Sequence, residues 1–120
     1  MSLSRRLFVL TCLAVLVPRA AAAHAVLTSA QPEHGSTIRP GAIAIVLGFN
    51  TRIDRSRSRL TLTSPDGTST QLHFRDDGTV SILRADATVA NTGLWRMRWQ
   101  VLAADGHITR GDITFTVAAS

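Results

Sequence analysis

Residues 93–101 read Gly-Leu-Trp-Arg-Met-Arg-Trp-Gln-Val, and this stretch determines the fold class. In an extended backbone, alternate side chains point to opposite faces, so this pattern separates an apolar face from a polar one. The apolar face carries Trp95, Met97, Trp99 and Val101. We therefore predict a long strand with one buried face, on which both tryptophans pack in the core rather than stack on a ligand.

The same period of two recurs along the chain. The alternating apolar residues are Ile43, Ile45, Leu47 and Phe49; Leu60 and Leu62; Leu72 and Phe74; Val80 and Ile82; and Ile113, Phe115 and Val117. The turn signals between them are Pro65-Asp66-Gly67, Asp76-Asp77-Gly78 and Asn91-Thr92-Gly93. Short strands with frequent turns predict an all-β domain, a small Greek-key β-barrel or sandwich of about seven strands. Residues 32–41 contain two prolines and two glycines, which predicts irregular structure.

Residues 1–23 have the features of a secretory signal peptide. Arg5 and Arg6 precede an apolar run over residues 7–17, and a small-residue stretch ends at Ala23. The apolar run is shorter than the roughly 20 residues that span a bilayer, so an uncleaved anchor helix is the weaker alternative. Cys12 suggests a lipoprotein signal, but Thr11 is not the small residue expected before such a cysteine. We expect cleavage after Ala23, which leaves residues 24–120 as one exported domain without stable membrane insertion.

Cleavage would change the charge balance. The chain has 13 basic residues, all arginine; without Arg5, Arg6 and Arg19, ten remain against eight acidic residues, a net charge of +2. This small excess argues against nucleic-acid binding. The one local basic cluster is Arg52, Arg55, Arg57 and Arg59. We interpret it as a solvated loop rather than a phosphate or partner site.

The predicted cleavage would make His24 the first residue. Its free α-amine and its imidazole Nδ1 could then chelate one metal ion, whereas the backbone nitrogen of an internal histidine is an amide. Downstream, Asp105-Gly106-His107 supplies a carboxylate and a second imidazole two residues apart. Their equal parity would direct both side chains to one side of an extended backbone, whereas Gly106 between them leaves room for a ligand or permits a turn. The candidate metal ligands are therefore His24, Asp105 and His107.

The chemistry of these ligands favours copper. Three nitrogens and one oxygen suit a tetragonal Cu(II) centre, and Cu(II) has the highest affinity in the divalent series. The amine, with an ordinary pKa of about 7.7–8.0, must lose its proton to bind. We therefore expect affinity for one Cu(II) per chain to fall as the pH falls.

Several motifs together resemble the CopC family of periplasmic copper-binding proteins. They are His24-Ala25, Gln31-Pro32-Glu33-His34-Gly35, Phe49 at a strand end, Gly93-Leu94-Trp95-Arg96-Met97-Arg98-Trp99, Asp105-Gly106-His107, Gly111 and Phe115. The resemblance implies a Greek-key β-barrel that binds Cu(II) through an N-terminal histidine brace. It also implies buffering of copper, or delivery to a CopD-type importer in the inner membrane.

The sequence departs from the family pattern at two places. Some members hold Cu(I) in a methionine-rich loop, but Met97 is the one methionine after Met1. Some members place a glutamate where Thr51 lies, so that extra carboxylate is missing. Whether His34 or Glu33 joins the site stays open, and His73 is predicted to face solvent.

Two other functions remain as alternatives. A histidine brace also serves copper enzymes that cleave polysaccharides oxidatively, although a domain of this size without tyrosine offers little substrate surface. A metal-free interaction module would fit if the processed protein did not begin at His24. We predict a copper-binding protein rather than an enzyme.

Overall fold

Two β-sheets pack face to face in a computed structural model, which describes residues 24–119. The strands are β1 (Leu27–Gln31), β2 (Thr37–Ile38), β3 (Gly41–Phe49), β4 (Arg59–Thr63), β5 (Ser69–Leu72), β6 (Ile82–Val89), β7 (Gly93–Leu102) and β8 (Ile108–Val117). The predicted signal peptide, residues 1–23, lies outside the described residues. Among residues 24–119, no helix has the length and apolar character needed to cross a membrane.

The smaller sheet has the order β1-β3-β6, and the larger one has the order β2-β8-β7-β4-β5. All pairings are antiparallel except that of β2 with β8. This arrangement confirms the predicted all-β class in its sandwich form. The β7–β8 hairpin is the longest pairing, and its turn at residues 103–107 carries the predicted Asp-Gly-His motif.

The core lies between the sheets and is centred on β7. Met97 and Val101 are completely buried, and Trp95 and Trp99 are each only 6% exposed. The ring of Trp95 stacks on Phe115, while that of Trp99 meets Phe49 from the opposite sheet edge-on. Both tryptophans are therefore core residues, as the alternation predicts.

The structure differs from the sequence prediction in its weaker strands. The segment at residues 32–41 is not wholly irregular, because Thr37–Ile38 forms the short strand β2, which pairs with the end of β8. This strand brings the number of strands to eight, against the prediction of about seven. Val80 is 57% exposed and precedes β6, so its placement in that strand was wrong. Phe74 lies beyond β5 and forms an isolated bridge with Ala85 of the other sheet. The last strand begins at Ile108, five residues before Ile113, the first of its alternating apolar residues.

Gly111 gives the indole of Trp99 the space it needs. The two residues are cross-strand partners, and a Cβ atom on Gly111 would lie 2.6 Å from Cε2 of Trp99. Contacts this short force the ring or the backbone to move. A glycine is thus required opposite this tryptophan for a steric reason.

We expect Gly111→Ala to lower the free energy of unfolding by about 1–3 kcal/mol, because the added methyl group overpacks the core against Trp99. Urea denaturation followed by tryptophan fluorescence measures the change. Thr114→Ala, on the outward face of the same strand, is the control and should stay within about 0.5 kcal/mol of wild type. Equal stability of the Gly111 variant and wild type would contradict this packing argument.

Candidate metal centre

The segment that carries His24 is anchored directly after it. Ala25 is 2% exposed, so it is part of the core. The Val26 N–H donates to Oδ1 of Asn50 at 2.7 Å, and the Asn50 N–H donates back to the Val26 carbonyl at 3.1 Å. This reciprocal pair fixes the chain beside the end of β3 and leaves His24 exposed at the rim of the sandwich.

The turn between β7 and β8 positions Asp105 and His107. The Ala103 N–H donates to the His107 carbonyl at 2.9 Å, and the Gly106 N–H donates to the Ala103 carbonyl at 2.9 Å. Gly106 has a φ of +89°, a conformation that glycine adopts without a steric penalty. Outside the hairpin, the Ala104 N–H donates to the Arg52 carbonyl at 3.0 Å. The turn is therefore fixed both internally and against the segment after β3.

These two supports bring the imidazoles of His24 and His107 together. Their ring centroids are 4.9 Å apart, and the ring planes meet at 71°. Both residues are exposed, so an ion has direct access from solvent. The fold thus joins residues that are 83 positions apart in the sequence, as the proposed ligand set requires.

Asp105 contacts His107 through both carboxylate oxygens. Oδ1 accepts a hydrogen bond from the His107 backbone N–H at 3.0 Å, and Oδ2 lies 3.0 Å from His107 Nδ1. The backbone hydrogen bond, aided by the imidazole of His107 and the charge of His24, lowers the pKa of Asp105 below its usual value. Asp105 is therefore ionised at neutral pH, and it contacts Nδ1 of His107 and not Nε2.

The described part of the chain contains no group of three His, Cys, Asp or Glu side chains at metal-binding separation. Two imidazoles meet, and the carboxylate contacts one of them instead of facing a common centre. The fourth proposed donor is not a side chain: it is the nitrogen of His24, which is an amide in the unprocessed chain. The arrangement can hold a metal ion if this nitrogen becomes a free amine.

The other two histidines lie elsewhere. Nδ1 of His34 accepts a hydrogen bond from the Thr114 N–H at 3.1 Å, so His34 packs against the edge of β8. Thr114 is seven residues along that strand from His107, or roughly 23 Å. His34 and the adjacent Glu33 are thus outside the candidate site. His73 is exposed, as predicted.

Asn50 is a positioning residue that the sequence argument did not identify. Its side chain satisfies the Val26 N–H immediately after the candidate ligand. The available signal was an Asn directly after a strand, a residue type whose side chain often bonds to nearby backbone groups. The sequence does not show which backbone segment it contacts, since Val26 is 24 residues away.

Comparisons with known proteins agree with this architecture. CopC from Methylosinus trichosporium OB3b superposes with a TM-score of 0.73 at 22% identity, over 80% of this chain and 95% of that one. PcoC, a copper resistance protein from Escherichia coli, gives a TM-score of 0.60 at 20% identity, over 78% and 99% of the two chains. At these identities the likeness establishes the fold, and a comparison with curated proteins gave no match.

The family comparison is more specific. Residues 27–118 match the model of the CopC domain. The match spans well over half of the chain and includes all eight strands and the turn that holds Asp105 and His107. This protein therefore belongs to the CopC family.

Proposed function

We propose that this protein is a periplasmic Cu(II) carrier that binds one ion through an N-terminal histidine brace. The observation that supports the proposal most strongly is the 4.9 Å approach of the His24 and His107 rings at the exposed rim of the sandwich. Membership of the CopC family, and a fold shared with a copper resistance protein, point to the same cargo.

The proposed donors are the α-amine and Nδ1 of His24 and Nε2 of His107. Removal of residues 1–23 would convert the nitrogen of His24 from an amide, which has no free lone pair for a metal, into an amine. The amine and Nδ1 of one residue could then close a chelate ring, and His107 would add a third nitrogen. Nitrogen-rich sets of this kind favour Cu(II) among divalent ions.

Asp105 has a supporting role in this proposal as the carboxylate of the site. Its Oδ2 contact with Nδ1 fixes the ring of His107 and leaves Nε2 for copper, an arrangement that metal-bound histidines commonly show. Its negative charge offsets part of the charge of the ion, and its remaining lone pairs are available to copper as a weaker oxygen ligand.

A carrier fits this site better than an enzyme does. Both imidazoles are exposed, so the ion would be accessible to a receiving protein as well as to solvent. The largest aromatic side chains, Trp95 and Trp99, are buried and offer no platform for a polysaccharide. A CopD-type importer in the inner membrane is the receiving protein that we propose.

Isothermal titration of the exported protein with Cu(II) and with Zn²⁺ tests the proposal. We expect one Cu(II) per chain, bound more tightly than Zn²⁺. No copper binding, or a clear preference for Zn²⁺, would contradict it. Copper-dependent oxidation of chitin or cellulose in the presence of a reductant would instead identify an enzyme.

We expect Asp105→Ala to weaken Cu(II) binding by about 10–100-fold, because His107 loses the partner that orients its ring. The matched control is Asp66→Ala in the β4–β5 turn, where Oδ1 accepts a similar hydrogen bond from the Thr68 N–H at 3.0 Å. Both variants lose one turn carboxylate that accepts a backbone hydrogen bond, and isothermal titration compares their affinities. Equal affinities would remove Asp105 from the site.

Reduction is expected to release the metal. The proposed donors are an amine, imidazoles and a carboxylate, whereas Cu(I) prefers thiolates and thioethers. Met97 is completely buried in the core and therefore cannot capture the reduced ion. Ascorbate with a Cu(I) chelator should strip the protein, which absorption of the chelator complex measures; strong retention of Cu(I) would require a second site.

A further inference from the structure

The outward face of the five-stranded sheet carries a concentrated positive charge that the copper site does not use. Four exposed arginines project from three adjacent strands: Arg59 on β4, Arg96 and Arg98 on β7, and Arg110 on β8. We call this surface, with the residues between them, the arginine face. Arg59 therefore lies on a strand and not in the solvated loop that the sequence predicts for it.

Pairing register places the four arginines close together. Arg59 and Arg110 both lie opposite Gln100, so their backbones are two strand spacings apart, roughly 10 Å. Arg98 and Arg96 follow on the central strand, each about 7 Å further along. All four guanidinium groups thus belong to one continuous patch.

Little of this charge is neutralised on the face itself. Arg98 donates to both oxygens of Asp112, at 2.9 and 3.0 Å. Arg110 donates to the neutral Gln100 at 2.8 Å. Asp112 is the one carboxylate that the described β4, β7 and β8 strands place on this face, so four positive charges meet one negative charge. By contrast, Asp86 on the outward side of β6 is paired with Arg75, whose Nη1 donates to Oδ2 at 2.9 Å.

Large apolar side chains share the arginine face. Leu94 is 61% exposed at one end of it, and Ile108 is 53% exposed at the other. They have the same parity as Arg96 and Arg110 on their respective strands, so they project in the same direction. Ile108 is paired with Leu102 directly beside the turn of Asp105 and His107.

We propose that the arginine face docks on an anionic phospholipid surface. Planar guanidinium groups bind phosphate oxygens in a bidentate manner, and each one adds about fivefold to the binding constant at an anionic surface. Exposed Leu94 and Ile108 can enter the boundary between headgroups and acyl chains. The charge lies in the centre and the apolar residues at the ends, the reverse of a protein interface with its apolar centre and polar rim.

Such docking would be peripheral and would not insert the chain into the bilayer. Because Ile108 adjoins His107, the candidate copper site would lie close to the membrane surface. The proposal does not depend on copper, since none of the residues of the arginine face is a proposed ligand. Vesicle binding and copper binding can therefore fail separately.

Vesicle sedimentation at low ionic strength tests the proposal. The exported protein is mixed with vesicles of phosphatidylcholine alone, or with 30% phosphatidylglycerol. We expect binding to the anionic vesicles only, and a loss of about a hundredfold in Arg59→Gln/Arg96→Gln/Arg110→Gln. The control Arg39→Gln/Arg57→Gln/Arg84→Gln removes the same charge elsewhere and should retain wild-type binding. If the first triple variant does not fold, Arg96→Glu alone should weaken binding at least fivefold.

Three results would overturn the proposal. The first is that the wild-type protein does not sediment with anionic vesicles. The second is that both triple variants lose binding equally, which would indicate net charge rather than this face. Binding to polyglutamate without binding to vesicles would identify an acidic protein as the partner instead.

Discussion

Adding a single residue before His24 is expected to weaken Cu(II) binding by at least about a hundredfold. This loss of affinity is larger than the one expected for Asp105→Ala, which removes a side chain that supports a ligand. The added peptide bond converts the α-amine into an amide and opens the chelate ring. The imidazole pair with its 4.9 Å separation would persist, because Ala25 and the Asn50 contact hold the segment independently of that nitrogen. Isothermal titration of the two forms measures the difference.

The matched control carries the same extra residue after Ser120. The control protein has the same amino-acid composition as the N-terminally extended form, but its chain still begins at His24. This control should bind Cu(II) as the unextended protein does. Equal affinity of the N-terminally extended form and its control would rule out the histidine brace.

His107→Ala is the second change with a large expected effect. It removes the only imidazole that approaches His24 among the described residues. We expect the affinity for Cu(II) to fall by at least about a hundredfold, and the electron paramagnetic resonance spectrum of the remaining copper to lose the splitting from one nitrogen. The protein should stay folded, since His107 is exposed and outside the core.

His73→Ala provides the comparison for that variant. His73 is also exposed, but it lies between β5 and the isolated bridge of Phe74. Its removal should leave both the affinity and the spectrum unchanged. An unaltered spectrum in His107→Ala, or an equal change in both variants, would show that the proposed site is wrong.

The sequence predicts the fold best where burial on one face is complete. The alternation on β7 locates the central strand, because both of its neighbours bury the same face against the core. The prediction fails at Val80, which alternates with Ile82 in the sequence but lies before the first residue of β6. It also misses β2, because a strand of two residues is set by its pairing with β8 and not by its own pattern.

The candidate site is predictable in part from local chemistry. A histidine directly after a predicted cleavage site and an Asp-Gly-His motif are visible in the sequence, and the structure brings His24 and His107 together. The contact of Asp105 with Nδ1 of His107 depends on the turn formed by Gly106, which the sequence leaves open between an extended segment and a turn. The Asn50 contact depends on how β1 pairs with β3, which no local motif reveals.

Native mass spectrometry of the exported protein, with and without one equivalent of Cu(II), tests the central claim most directly, because it reports the first residue and the bound metal together. The account predicts a chain that begins at His24 and gains the mass of a single copper ion. A chain that begins at any other residue, or one that begins at His24 and gains no copper, would contradict it.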